Sequence, residues 1–150
     1  MYRTIVVATD GHEGGDRAVA AARDLAARSY ARIVVVHVNE LVVIRGGTMS
    51  FDPNEVEVAQ RIWDQVRDMT NNGLRAELTV RTARDPARSI ADTAKAVGAD
   101  LIVIGPSRHD PLAGAVFGSV TQRLLRVATC PVQAVPLAGE RAAAPLIKMA

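Results

Sequence analysis

Residues 5–11 read IVVATDG, a short apolar run that ends in polar residues and a glycine. Such a run is typical of a strand that is buried on both faces of a parallel sheet and ends at its carboxyl edge. Similar runs recur along the chain. Together they predict five strands, over Thr4–Thr9, Ile33–Val38, Ala76–Thr82, Leu101–Gly105 and Pro131–Val135.

Helical patterns separate these strands. Apolar side chains recur at helical spacing within residues 19–26, 56–69, 90–97 and 116–127. The alternation predicts one α/β domain over residues 1–136, with an open, doubly wound, parallel five-stranded sheet and helices on both faces. After Pro136 the pattern stops, and residues 137–150 are predicted to form a flexible C-terminal tail.

The start of the second helix is also predicted from local signals. Asp52 followed by Pro53 and Glu55 combines an N-cap, a proline suited to the first helical turn and a capping-box carboxylate. Asp85 with Pro86 repeats the cap and the proline at the third helix. Trp63, at helical spacing with apolar neighbours, is predicted to lie in the core.

Composition excludes several classes of protein. The 150 residues are 49% hydrophobic and 23% charged, which suits one globular domain. A net charge of +2 and only 3% aromatic residues argue against a nucleic-acid binder. No apolar run approaches the roughly 18–20 residues of a membrane span, and the N-terminus lacks a signal-peptide pattern, so a cytoplasmic protein is expected. The single cysteine, Cys130, excludes an internal disulfide and does not suggest a metal site.

In an open parallel sheet, ligands bind outside the carboxyl ends of the strands, where the strand order reverses. The most polar strand ends are residues 9–12 after the first strand and residues 105–109 after the fourth. Gly118 and Ser119, before the fourth helix, would add backbone N–H groups at a positive helix end, which favours an anion. The chain has two lysines, Lys95 and Lys148, and neither stands in a P-loop.

Other phosphate-binding and catalytic motifs fail as well. Residues 11–15 only weakly imitate the dinucleotide fingerprint, and no G-x-S-x-G elbow for a serine hydrolase is present. Only Asp10 follows the first strand, without the clustered carboxylates and the lysine of a phosphoacceptor receiver domain.

One spacing matches a known family. Gly105, two residues, Arg108, nine residues and then Gly118-Ser119 resemble the universal stress protein nucleotide motif, in which glycine, two residues, glycine and nine residues precede glycine and serine or threonine. The resemblance extends through HVNE, ADLIVIG and CPVQAV and covers about residues 2–136. It implies the strand order 3-2-1-4-5 and a homodimer formed through the fifth strand.

The resemblance also implies a ligand: ATP or a related adenine nucleotide, with Mg²⁺ as its counter-ion. The adenine and ribose would lie near Thr9, Asp10 and Val38. The phosphates would meet the backbone of the two glycine-containing turns, at Gly105, Ser107, Arg108, Gly118, Ser119, Val120 and Thr121. The expected role is a cytoplasmic regulator of the stress response. No catalytic residue is assigned, because no activated nucleophile or base pair supports efficient turnover.

Arg108 departs from the motif, because the family has glycine there. Its side chain would either obstruct the phosphate turn or clamp phosphate with its forked donors. Two alternatives to a nucleotide-binding regulator therefore stay open. One is a nucleotide-free, dimeric interaction module whose crevice Arg108 alters, and the other is a slow ATPase or phosphotransfer protein.

Each candidate also has a purely structural interpretation. Ser119 with Gln122 reads as a capping box, and Asp10 with Gly11 as a simple turn. His12 reads as an exposed loop residue. His37, inside the second strand, is expected to be a buried histidine with satisfied hydrogen bonds.

Overall fold

The computed structural model describes residues 1–47, 49–50, 53–107 and 118–136. Arg108 and the predicted tail, residues 137–150, lie outside the described residues. In chain order, the elements are β1 (Thr4–Ala8), α1 (Glu13–Ser29), β2 (Arg32–Glu40), β3 (Val42–Val43), β4 (Met49–Ser50), α2 (Glu55–Asn71), β5 (Arg75–Ala83), α3 (Pro86–Ala96), β6 (Leu101–Ile104), α4 (Ser119–Val127) and β7 (Val132–Ala134).

Five of the strands form one parallel sheet in the order β5-β2-β1-β6-β7. In terms of the five predicted strands this order is 3-2-1-4-5, so the predicted topology is confirmed. Val6 in β1 pairs with Val34 of β2 on one side and with Ile102 of β6 on the other. The carboxyl ends of β1 and β6 therefore lie side by side, at the point where the strand order reverses.

Both faces of the sheet are covered by a pair of helices. Alternate residues along each strand face opposite pairs. Ile5 and Val7 of β1 pack with α1 and α2, whereas Val6 and Ala8 pack with α3 and α4. This follows from the two-residue period of a strand, which sends successive side chains to opposite faces. Because every position is then buried, continuous apolar runs form these strands.

The connection after β2 contains a short antiparallel hairpin of β3 and β4. Two local predictions for helix α2, which follows it, need correction. Helix α2 begins at Glu55 with Asn54 as its N-cap, so Pro53 precedes the helix, and Asp52 lies outside the described residues. Trp63 was predicted to be core and is 46% exposed, because the face of α2 that packs on the sheet is offset from it and is formed by Val58, Ile62, Val66 and Met69.

Candidate functional site

A cleft of about 680 Å³ lies at the carboxyl ends of the central strands, and we call it the central cleft. Its described walls come from the ends of β1, β2 and β6, the β3 segment, the start of α2 and α3, and the start of α4. This is the edge of the sheet at which open α/β folds bind their ligands.

Every predicted site residue that the structure describes lines the central cleft. These residues are Thr9, Asp10, Val38, Gly105, Ser107, Gly118, Ser119, Val120 and Thr121. They come from four separate segments of the chain, and the sheet topology brings them together. Arg108 lies outside the described residues, and ligand contact by any of these residues stays a prediction.

The β1 end of the cleft is shaped by hydrogen bonds to its own backbone. The Gly11 N–H donates to Thr9 Oγ1 at 3.0 Å, and the His12 N–H donates to Asp10 Oδ1 at 3.0 Å. Gly11 has a φ of 80°, a left-handed conformation that suits glycine. The turn interpretation of Asp10 is therefore confirmed, and the same turn holds Asp10 at the cleft wall. His12, predicted to be an exposed loop residue, is half-buried there as the N-cap of α1.

The start of α1 lies in direct backbone contact with the end of β6. A Cβ built on Gly14 would lie 1.8 Å from the Pro106 carbonyl oxygen, and one on Gly105 would lie 2.1 Å from the Gly14 carbonyl oxygen. A Cβ on Gly15 would lie 2.1 Å from Thr9 Oγ1. These glycines do not form a dinucleotide fingerprint, and their role here is to let helix and strand meet. This contact fixes the start of α1 against the end of β6 at the cleft.

The N-terminus of α4 forms the opposite wall. Gly118 is the N-cap, in extended backbone without a side-chain cap, and the Gln122 N–H donates to its carbonyl at 3.0 Å. Ser119 is the first residue of the helix, so the predicted capping box, which requires Ser119 at the N-cap, is wrong. The N–H groups of residues 119–121 precede the first intrahelical bond and have no acceptor within the helix. They carry the positive end of the helix dipole at the cleft.

An ion pair between Asp85 and Arg123 joins helices α3 and α4, which cover the same face of the sheet. Asp85 is the N-cap of α3 and accepts from the Arg88 N–H at 3.2 Å, as predicted. Its carboxylate also accepts from Arg123 of α4, with Nε at 2.9 Å and a terminal nitrogen at 2.6 Å from Oδ2. The Arg123 hydrogen bonds, followed by that of the Arg88 N–H, lower the pKa of Asp85. The pair ties α4 to α3, both of which line the cleft.

On the other face, α2 is held against the β1 turn. Arg61 donates to the Gly11 carbonyl oxygen at 2.6 Å and to the carboxylate of Asp16 in α1. Gln65 also donates to Asp16, at 2.8 Å. Gly11 is therefore fixed from both sides, by Thr9 within the turn and by α2 from above.

His37 of β2 and Glu55 of α2 are among the cleft residues that were not predicted as site residues. His37 is 4% exposed, with Nδ1 3.0 Å from the Thr9 carbonyl oxygen and Nε2 2.7 Å from Glu55 Oε1. The prediction of a buried, hydrogen-bonded histidine is confirmed. The alternation of side chains along β2 could have indicated where His37 lies, because His37 points to the same face of the sheet as Ile33 and Val35, which pack with α1 and α2. Glu55 was instead interpreted as a capping-box residue.

Within the part of the chain that the structure describes, no group of three or more His, Cys, Asp or Glu side chains could hold a metal ion. Among those residues, no helix is both long and apolar enough to span a bilayer.

Comparison with known proteins identifies the family. The model of the universal stress protein family matches residues 1–136, which include all five strands of the sheet. The chain belongs to the universal stress protein family. The resemblance noted in the motif spacing is thereby confirmed over the whole predicted domain.

Relatives of this universal stress protein support the assignment over nearly their full lengths. A universal stress protein of Thermus aquaticus is 31% identical over 135 residues, with 88% of this chain and 97% of the relative covered. A family member from Burkholderia pseudomallei has a solved structure with 30% identity and a TM-score of 0.65, covering 90% of this chain and 96% of that one. The Archaeoglobus fulgidus universal stress protein, solved in complex with dAMP, has 27% identity and a TM-score of 0.65, covering 89% and 97%.

Proposed function

We propose that this universal stress protein binds ATP or a related adenine nucleotide in the central cleft and acts as a cytoplasmic regulator of the stress response. The observation that carries the proposal is the convergence of the described motif residues on one cleft, with the N-terminus of α4 at its wall. The Archaeoglobus fulgidus relative, solved with dAMP, supports an adenine nucleotide as the ligand.

The proposed pose places the base and ribose at the β1 and β2 ends of the cleft, near Thr9, Asp10 and Val38. The phosphates then meet the backbone at two turns, formed by Gly105, Ser107 and Arg108 on one side and by Gly118, Ser119, Val120 and Thr121 on the other. A cleft of about 680 Å³ lies within the usual range of roughly 300–1,000 Å³ for small-molecule sites.

The charges of the cleft wall bear on how phosphate is held. The described lining residues include the acids Asp10, Glu40 and Glu55 and no lysine or arginine. Among the described residues, the phosphate contacts are therefore expected to come from the backbone N–H groups and dipole of α4, which form an anion site without a cationic side chain. We propose Mg²⁺ as the counter-ion of the bound ATP, since it would reduce the repulsion between the phosphates and the carboxylates of Asp10 and Glu40.

Calorimetric titration with ATP, with and without Mg²⁺, tests the proposed function. Saturable binding of one nucleotide per chain is the expected result, with GTP as the control for base recognition. A flat titration at high protein concentration, both with ATP and with dAMP, would favour the nucleotide-free interaction module.

Arg108 is the specific feature that favours that second candidate. If its side chain obstructs the phosphate turn, Arg108→Gly restores the family motif and tightens ATP binding. We expect this outcome, because a turn that contacts phosphate with backbone N–H groups has little space for a side chain. If it clamps phosphate, the same change weakens binding by about 1.5–3 kcal/mol, the contribution of a hydrogen bond to a charged group. Calorimetry on the two proteins measures the direction, and a clear loss of affinity would contradict the obstruction hypothesis.

We further propose a homodimer formed through β7. Val132–Ala134 is a short edge strand beside β6, and an unpaired edge exposes hydrogen-bonding groups that favour pairing with another chain. Leu125, on the neighbouring helix α4, is 50% exposed. Light scattering at micromolar concentration is expected to give twice the chain mass. Ala134→Pro removes an N–H that faces the open edge of β7, since residues 131 and 135 are the ones that bond to β6, and it is expected to reduce this mass. A monomer at high concentration would contradict this proposal.

A further inference from the structure

The buried pair of His37 and Glu55 is the part of the central cleft that the nucleotide motif does not explain. Both ring nitrogens of His37 face an oxygen: Nδ1 faces the Thr9 carbonyl at 3.0 Å and Nε2 faces Glu55 Oε1 at 2.7 Å. The side chains are 5% and 20% exposed, so little water competes for these contacts.

The number of protons in the pair follows from the chemistry of these partners. A carbonyl oxygen only accepts, so Nδ1 must carry a hydrogen. In a neutral imidazole Nε2 would then present a lone pair to Glu55, and an ionised carboxylate also only accepts. Two acceptors do not approach to 2.7 Å, whereas a charge-assisted N–H···O bond has about this length. One further proton must therefore lie between Nε2 and Oε1.

We infer that His37 and Glu55 share this proton, that it docks the N-terminus of α2 at the wall of the central cleft, and that its loss weakens nucleotide binding there. The coupling to the nucleotide rests on the proposed function, but the shared proton does not. His37 and Glu55 act as positioning residues, because the contact joins Thr9, beside the proposed ribose position, to the first residue of α2.

Charge explains why the proton affects an anionic ligand. With the proton, the pair has no net charge, whether His37 or Glu55 holds it. Without it, the pair carries a charge of −1 in a cleft whose described lining already includes Asp10 and Glu40. An additional negative charge in a partly screened site is expected to weaken binding of an anion by about three- to tenfold.

The other titratable groups facing the cleft limit how a pH profile is interpreted. Among the described lining residues they are Asp10 and His12 after β1 and Glu40 at the end of β2. The lining residues that α3, β6 and α4 contribute have no titratable side chain. A test of the pair therefore compares proteins that share Asp10, His12 and Glu40 and differ only at Glu55.

Glu55→Gln distinguishes the effect of losing the shared proton from the effect of losing the hydrogen bond. Its amide nitrogen can donate to the Nε2 lone pair of neutral His37, so the hydrogen bond is kept while the pair stays uncharged. His12 is present in both proteins, so its effect cancels in the ratio of their dissociation constants. Glu55→Ala removes the hydrogen bond altogether and is expected to weaken ATP binding at every pH.

The first measurement needs no nucleotide. The ¹⁵N shifts of the His37 ring and the ¹³C shift of the Glu55 carboxyl, recorded at pH 7, count the protons in the pair, with His37→Gln used for assignment. Two ring protons with an ionised carboxylate, or one ring proton with a neutral carboxyl, would support the inference. One ring proton with an ionised carboxylate would overturn it.

The second measurement is calorimetric titration with MgATP between pH 6.5 and 9.0. The dissociation constant of the unmodified protein, relative to that of Glu55→Gln, is expected to rise by about three- to tenfold across this range. A constant ratio would overturn the coupling. Absence of ATP binding in both proteins at all pH values would overturn the proposed function and the coupling, while the NMR result would still decide the shared proton.

Discussion

Replacing Gly14 with alanine is expected to lower the free energy of unfolding by about 3 kcal/mol or more and the melting temperature by about 6–12 °C. The added Cβ would lie 1.8 Å from the Pro106 carbonyl oxygen, a backbone atom that cannot rotate away. Helix α1 must then move from the end of β6. Helix propensity alone predicts that the free energy of unfolding rises, because alanine is more favourable than glycine in a helix by about 1 kcal/mol.

Urea denaturation followed by the fluorescence of Trp63, the single tryptophan, measures this loss. Gly73→Ala is the matched control: it adds the same methyl group where no atom lies within 4 Å, at a φ of 88°. Its cost should be about 1–2 kcal/mol, the penalty of a left-handed backbone for alanine. A Gly14→Ala protein as stable as the unmodified one would show that α1 and β6 do not meet as described.

Replacing Gly118 with valine is expected to weaken ATP binding about 100-fold or more while the fold persists, because at least two charged hydrogen bonds of about 1.5–3 kcal/mol each are at stake. Gly118 lies at the cleft wall as the N-cap of α4. A branched side chain there would hold phosphate away from the N–H groups of residues 119–121. The backbone of Gly118, with φ −65° and ψ 168°, is one that valine also adopts.

Calorimetry measures the affinity, and urea denaturation verifies that the variant is folded. Gln122→Val is the control, because it places the same side chain on the exposed face of the same helix. It should bind ATP as the unmodified protein does. If a folded Gly118→Val protein kept its affinity, the nucleotide would have to bind somewhere other than the α4 terminus.

Much of the fold could be predicted because its signals are local. Each central strand is a continuous apolar run, such as residues 101–104, because both faces of the sheet are covered. The family resemblance named the candidate site residues. All those described lie on the central cleft, and their contact with a ligand stays a prediction. The strand order came from the family resemblance, since apolar runs alone do not specify which strands are neighbours.

The local predictions that were wrong concern surfaces and caps. The apolar spacing of α2 placed Trp63 on its apolar face. An amphipathic helix buries only one face, however, and the angle at which α2 lies on the sheet decides which side chains that face contains. Ser119 is a residue type that often caps helices, but α4 begins at Ser119 itself, one residue earlier than a Ser119 cap requires. Such one-residue differences depend on how the turn meets the rest of the molecule.

The sequence by itself determined the fold class, the five strands of the parallel sheet and the four helices in their order along the chain, and the segments that supply the cleft. Only the tertiary structure decided that Gly14 and Gly105 are required by a backbone contact, and that the side chains of His37 and Glu55 meet. The physical reason is distance along the chain. Periodicity and capping act between residues within a turn or a pair of turns, whereas His37 and Glu55 are 18 residues apart and meet only when α2 packs on β2.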